Sequence, residues 1–178
     1  MQFSGNMETN FATKAENSRN MLLQIRKENI KRSFCGSELM GHRRQHIGTV
    51  NGVAYYDDSK AECVNATWFT FDTIIGPTIW IADGKCNGGS YDDLRDKVNS
   101  NVDGIVCIGN DKKMRQLFDG NATIEQATDI AEAVRKAAAM AKEGSLVIFS
   151  PSTASFAQNE IGETFKNEVM KMKQWQRF

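Results

Sequence analysis

Four consecutive residues that could handle a phosphate, Asp57, Asp58, Ser59 and Lys60, follow a β-prone run that ends at Tyr56. If a strand ends here and a helix begins, Ser59 is a plausible N-cap and free backbone N–H groups favour an anion. Lys60 adds a point charge suited to phosphate or carboxylate. Asp58 could hold a ribose hydroxyl, a metal or a cationic partner. An ordinary solvated helix cap explains the same pattern, so both interpretations stay open.

Three other segments carry residues that could bind a ligand. The glycine-rich residues 83–89, "DGKCNGG", would let a backbone approach a ligand closely, or would simply form a turn. Residues 150–155, "SPSTAS", offer donors for a carboxylate, or ordinary turn chemistry. Arg43 and Arg44 could reach a ligand bound between domains, although exposed arginines are usually solvated. The sequence contains no G-x-x-x-x-G-K-[ST] phosphate-binding loop.

The surrounding pattern predicts the elements that would position these residues. Two β-prone runs flank Asn51-Gly52, a strong hairpin signal. After Asp58, short apolar strands alternate with helices, which predicts βαβ units and a parallel sheet. Ligands in such sheets collect beyond the carboxyl ends of the strands, so we expect the candidate segments to converge there. The predicted elements are a helix at 61–73, a strand at 78–82, a helix at 91–99, a strand at 104–108, helices at 112–118 and 124–142, a strand at 145–150 and a helix ending near Lys173.

Composition excludes several classes of protein. Lysine plus arginine equals aspartate plus glutamate at 22 each, so charge gives no argument for nucleic acid or an anionic membrane as a partner. The apolar runs are too short to span a bilayer, and no secretion signal is evident. The 4 cysteines form no C-x-x-C pair, and with only 2 histidines zinc spacing is absent. We expect reduced thiols, no bound metal and a cytoplasmic location.

The order of the segments resembles the C-terminal domain of the Mur ligases, particularly the branch that adds D-glutamate. A His-Arg pair, a hairpin, "DSKA", "ATW", a Gly/Lys strand exit and "SPxxAS" follow one another from His42 to Ser155. The resemblance implies an α/β, Rossmann-like three-layer domain at residues 41–178, with a mostly parallel sheet and an N-terminal β-hairpin. "LLQIRKENI" resembles the helix that closes the family's central domain. Residues 1–40 are therefore expected to be a helical remnant of that domain plus a linker, in a truncated or divergent copy.

The resemblance also implies a reaction. Mur ligases phosphorylate the carboxylate of a nucleotide-linked muramoyl precursor with ATP, and an amino acid then displaces the phosphate in peptidoglycan synthesis. ATP and Mg²⁺ would be held by a separate central domain, in cis or in trans. We therefore expect this chain to bind neither alone and to be inactive alone.

Motif matching assigns expected roles to individual residues. Arg43, Asp58 and Ser59 would lie on the nucleotide side. Lys60 would act catalytically by neutralising phosphate charge. The substrate side would comprise Ser155, which would hold a carboxylate of D-glutamate, together with Ser150, Glu62, Lys85 and Asn87.

Three departures from the family pattern fall on that substrate side. Glu62 replaces a threonine that helps to bind D-glutamate, and a carboxylate there would repel an anionic substrate. Asn87 occupies the position of a lysine, for which Lys85 could substitute only if the loop shifts. The segment after Ser155 is shorter and lacks an Asp, an aromatic residue and an Arg. Three hypotheses follow: a domain of a ligase, a stand-alone degenerate binding or regulatory module, or an unrelated doubly wound domain.

Overall fold

A computed structural model describes residues 43–84, 90–153 and 158–175, together with Met21. The chain divides into two compact units, Met1–Gly36 and Ser37–Phe178, and every element below belongs to the second unit. Apart from Met21, the helical remnant and linker expected at residues 1–40 lie outside the described residues.

The described part of the α/β unit opens with the predicted hairpin. Strands β1 (Gln45–Val50) and β2 (Val53–Asp57) pair antiparallel, and the turn residues Asn51 and Gly52 have φ of 50° and 74°. Positive φ at both central residues suits the right-handed twist of a tight hairpin, and Asn-Gly adopts it at low cost. The hairpin is therefore confirmed at the predicted position.

The remaining strands extend the hairpin into a mostly parallel sheet, as predicted. The order is β1-β2-β6-β3-β4-β5, and every pairing except β1–β2 is parallel. The last strand in the sequence thus lies in the middle of the sheet and joins the hairpin to the other strands. The bounds are β3 (Thr78–Asp83), β4 (Val102–Ile108), β5 (Thr123–Ala127) and β6 (Leu146–Phe149).

Helices cover the sheet on both faces and complete three layers. Along β3, Ile79 and Ile81 pack in one core cluster with residues of α4 and α5, whereas Trp80 and Ala82 pack in a second cluster with residues of α1 to α3. Burial on both faces explains why these strands are continuously apolar. The helices are α1 (Val64–Thr73), a 3₁₀ turn (Tyr91–Leu94), α2 (Arg95–Asn101), α3 (Lys112–Phe118), α4 (Ile130–Met140) and α5 (Gln158–Trp175).

The single helix predicted at 124–142 is wrong, because this segment forms strand β5 and then helix α4. Ile124 pairs with Ile105 of β4 in the sheet. The helix starts later because Asp129 caps it by accepting from the Glu132 amide at 2.8 Å, while Glu132 accepts from the Thr128 amide at 2.7 Å. This reciprocal cap defines the N-terminus of α4. The alanine-rich composition of this segment is typical of a helix, so the edge strand that precedes α4 was not predicted.

Candidate functional site

The carboxyl ends of β2 and β6 meet, and polar residues follow both strands. Asp57 is paired with Phe149, and the Asp58 amide donates to the Phe149 carbonyl at 2.8 Å. Asp58 and Ser150 therefore lie side by side just beyond the sheet. The expected convergence is confirmed for these two segments.

The Asp58 carboxylate lies at the centre of this cluster and is fully buried. Oδ2 accepts from the Thr70 hydroxyl at 2.6 Å and from the Ser150 hydroxyl at 3.1 Å. Oδ1 accepts from the Arg44 amide at 3.2 Å and lies 3.6 Å from Nη1 of Arg43. Burial raises the pKa of Asp58 to about 6, with Arg43 and the hydrogen bonds opposing the rise.

The two arginines are directed at this unit's own residues. The Arg43 side chain is only 4% exposed, and desolvation lowers its pKa while Asp58 opposes that shift. Arg44 donates through Nη1 to the Thr73 hydroxyl at 3.2 Å and lies 5.3 Å from the ring centroid of Phe69. The predicted contact between Arg43 and a nucleotide stays a prediction.

The predicted N-cap at Ser59 is wrong, because two tight turns delay the helix to Val64. Ser59 donates its amide to Oδ1 of Asp57 at 2.9 Å, and the Ala61 amide donates to the Asp58 carbonyl at 2.8 Å. The actual N-cap, Cys63, makes no side-chain cap. The Ser59 hydroxyl is buried and has no hydrogen-bond partner within the described part of the chain.

Lys60 and Glu62 lie in the same connection but closer to solvent. Lys60 is half-buried, Glu62 is exposed, and the Glu62 amide donates to the Lys60 carbonyl at 2.9 Å. Lys60 forms no ion pair with any described residue, so its ammonium group remains suited to an external anion. Its catalytic role stays a prediction.

Hydroxyl groups continue the cluster away from Asp58. The Ser150 and Thr67 hydroxyl oxygens are 2.8 Å apart, and the Ser152 hydroxyl donates to Thr67 at 2.8 Å. Thr67 and Thr70 are three residues apart on α1 and are both buried against the strand ends. Neither threonine was predicted from the sequence, although their i, i+3 spacing in a helix that follows a polar strand exit could have indicated them.

The other predicted substrate-side residues, Lys85, Asn87 and Ser155, lie outside the described residues, and their roles stay predictions. In the described ranges, no three His, Cys, Asp or Glu residues form a metal-binding group. None of the helices among those residues is long and apolar enough to cross a membrane.

The chain is similar in sequence to curated proteins named UDP-N-acetylmuramoylalanine–D-glutamate ligase. The protein from Christiangramia forsetii is 36% identical over 154 residues, which cover 83% of this chain and 35% of the relative. The protein from Porphyromonas gingivalis is 36% identical over 156 residues, covering 84% of this chain and 35% of the relative. The chain thus spans about a third of the length of these relatives. No family model matches it.

Solved structures agree with the fold. A domain assigned to a UDP-N-acetylmuramate:L-alanyl-γ-D-glutamyl-meso-diaminopimelate ligase of Haemophilus ducreyi superposes with a TM-score of 0.51 at 17% identity, covering 71% of this chain and 99% of that domain. A murein peptide ligase of Psychrobacter arcticus gives a TM-score of 0.51 at 16% identity, covering 74% of this chain and 30% of that protein.

Sequence and fold together confirm the resemblance indicated by the motifs: the chain is a Mur ligase C-terminal-like domain. Within that family, its sequence relatives include the ligases named for D-glutamate.

Proposed function

We propose that the chain is the amino-acid-presenting, C-terminal domain of an ATP-dependent, peptide-bond-forming ligase of the D-glutamate-adding type. The observation that carries the proposal is the convergence of Asp58 and Ser150 at the ends of β2 and β6, with Lys60 in the adjoining connection. The names and the 36% identity of the relatives support the same assignment. We place the activity in peptidoglycan synthesis and the protein in the cytoplasm.

Lys60 is the residue proposed to act on the reacting group. Its ammonium group would stabilise the negative charge of an acyl phosphate while an amine attacks the carbonyl carbon and phosphate leaves. ATP and Mg²⁺ would supply the phosphoryl group from a separate domain. The isolated chain is therefore proposed to bind an amino acid without ligating it.

Asp58 is suited to a supporting role. A carboxylate offers about four lone-pair sites. Here three are used by the Thr70 hydroxyl, the Ser150 hydroxyl and the Arg44 amide, and the Arg43 guanidinium forms an ion pair at 3.6 Å. Little capacity is left for a ribose hydroxyl. We propose that Asp58 fixes Arg43 and the strand ends around the site.

The contact between Arg43 and Asp58 favours a second candidate, a stand-alone binding or regulatory module without ligase activity. The ion pair between Arg43 and Asp58 lies within this unit and forms without a nucleotide. Exposed Glu62 would also repel an anionic amino acid.

Titration with D-glutamate, followed by ¹⁵N amide shifts, separates the two candidates. If the proposal is correct, saturable shifts appear at residues 150–155 and 84–89, and L-glutamate produces weaker ones. An intact spectrum that does not change up to tens of millimolar D-glutamate would contradict retained substrate binding.

Removing the charge of Glu62 tests the proposed position of the substrate. Glu62→Thr should tighten D-glutamate binding about fivefold, because a repulsion on the order of 1 kcal/mol is removed at an effective dielectric near 20. Adding Asn87→Lys should tighten it further. Glu143→Thr, at an exposed glutamate in the α4–β6 connection, is the matched control and should leave affinity unchanged. Equal affinities in all variants would show that the substrate does not lie near Glu62.

A further inference from the structure

The buried hydroxyl groups near Asp58 form a chain with one direction. Ser150 has a single hydroxyl proton, which it donates to Oδ2 of Asp58 at 3.1 Å. The 2.8 Å contact between Ser150 and Thr67 must then use the Thr67 proton, so Thr67 is the donor. Thr67 in turn accepts from Ser152 at 2.8 Å. The hydroxyl relay, defined as Ser152, Thr67 and Ser150, therefore ends on the carboxylate.

Ser152, the residue of the hydroxyl relay farthest from Asp58, has an unusual backbone conformation. Ser152 has φ of +63°, in the left-handed region that costs a non-glycine residue free energy. Its hydroxyl bond to Thr67 is a contact that can compensate for this strain. The next residue, Thr153, forms an isolated antiparallel bridge with Cys63. The hydroxyl relay thus reaches the main chain of the segment that follows β6.

The main chain of Ser150 is held in place by two hydrogen bonds, so a change at Asp58 is not expected to move it. Its amide donates to the Ile81 carbonyl at 3.0 Å, and its carbonyl accepts from Nε1 of Trp80 at 2.8 Å. The main chain is therefore held on both sides by the central strand β3. The side-chain hydroxyls give a direct hydrogen-bonded route between Asp58 and Ser152, whereas the Thr153–Cys63 bridge reaches Asp58 only along the intervening main chain.

We propose that Thr67 and Ser152 are positioning residues that couple the charge of Asp58 to the backbone conformation of residues 152–153. This coupling requires only the hydrogen bonds of the hydroxyl relay and does not depend on the proposed function. If the proposed function also holds, the hydroxyl relay links the nucleotide side of the site to the loop expected to hold the amino acid.

At the Asp58 end of the hydroxyl relay, the charge would change when the carboxyl group gains or loses a proton. Arg43 is the charged group that faces it. The pKa of Arg43 is lowered by burial and by Arg44, and it is raised by Asp58, Cys63 and Glu62. Helix α1 and the end of β6 contribute the hydroxyls of Thr70 and Ser150. Protonation would give the carboxyl group a proton to donate, so that the hydrogen bonds along the hydroxyl relay could reverse.

A pH titration of the unliganded protein tests the coupling. We expect the side-chain carbon of Asp58 and the amides of Ser152 and Thr153 to titrate with one shared midpoint. In Thr67→Val, Asp58 should still titrate, while the amplitude at Ser152 and Thr153 falls to that of distant amides. Titration of those two amides at full amplitude in Thr67→Val, or no shared midpoint in the parent protein, would overturn the proposal.

Two further variants keep the test decisive. Ser152→Gly removes the hydroxyl while relieving the positive φ, so it should decouple residues 152–153 without requiring a change on α1. Thr164→Val, at an exposed position of α5, is the matched control and should leave the shared midpoint intact. Because no ligand is present, failure here is independent of any failure of D-glutamate to bind.

Discussion

Asp58 combines full burial with a cationic neighbour, and these act in opposite directions on its ionisation. Desolvation prevails over Arg43 and the surrounding donors, so the folded protein holds a proton on this group to higher pH than the unfolded chain does. Between its ordinary pKa of 3.8 and about 6, the folded state binds the extra proton. Stability contributed by this group is therefore present at low pH and lost as pH rises through that window.

We predict that Asp58→Asn flattens this part of the stability profile. Each pKa unit corresponds to about 1.4 kcal/mol, so the difference in unfolding free energy between parent and variant should change by on the order of 3 kcal/mol from pH 4 to pH 7. Urea unfolding at several pH values measures it. Asp103→Asn, at an exposed position of β4, is the matched control for removing a carboxylate. If the difference for Asp58→Asn does not depend on pH, burial does not destabilise the ionised carboxylate of Asp58.

The residue types at the strand ends were visible in the sequence, but their partners were not. Asp58 and Ser150 could be placed together because parallel strands end at the same edge. Which atoms they meet depends on the rotation of α1, which brings Thr67 and Thr70 inward. Ser59 was misplaced because a Ser before a helix is a common N-cap, whereas here the chain makes two extra turns first.

Gly84 illustrates a constraint imposed between elements. Its amide donates to the Ile108 carbonyl at 2.8 Å, and an added Cβ would lie 2.7 Å from that same oxygen and 2.8 Å from Sγ of Cys107. The end of β3 must therefore approach the end of β4 closely. The glycine is required for packing between the strands, whatever the following loop binds.

We predict that Gly84→Ala destabilises the protein by about 1–3 kcal/mol, since either the strand end or its hydrogen bond must shift. Thermal or urea unfolding would measure the loss. Gly48→Ala is the control: an added Cβ there meets nothing closer than Lys173 at 3.7 Å, so stability should change little. Equal effects of the two substitutions would refute the steric argument.

Element boundaries were predictable where the chemistry of the sequence was unambiguous. Helix α3 occupies the predicted residues 112–118, and Asp111 caps it by accepting from the Lys113 and Met114 amides. Strand β5 was not predictable, because "TIEQA" is short, mostly exposed and followed by alanines. Its identity as a strand comes from β4, which offers an unpaired edge.

Trp80 connects the core of the whole unit to the candidate site. Its ring makes edge-to-face contacts with Phe71, Tyr91 and Phe118, at centroid distances of 5.2, 6.3 and 6.3 Å. Its indole N–H also donates to the Ser150 carbonyl at 2.8 Å. One central side chain thus joins three elements on one face of the sheet to the polar strand ends.

We predict that Trp80→Phe costs about 1–3 kcal/mol, because the Ser150 carbonyl loses its buried donor and the core loses volume. Denaturant unfolding gives the magnitude. Amide shifts should change at residues 150–153 as well as in the core. Trp68→Phe, at a half-buried position of α1, serves as a control for removing a tryptophan. An undisturbed 150–153 segment in Trp80→Phe would show that the indole does not support the site.

The position of β6 imposes an order on folding. Within the described sheet, the hairpin joins the other strands only through β6, which is the last strand to be synthesised. The two ends of the sheet therefore cannot unite on the ribosome until residues 146–149 have emerged. Until then the apolar edges of β2 and β3 remain exposed, a state prone to aggregation. Nascent chains stalled before Leu146 should for this reason depend on chaperones far more than chains stalled after α5.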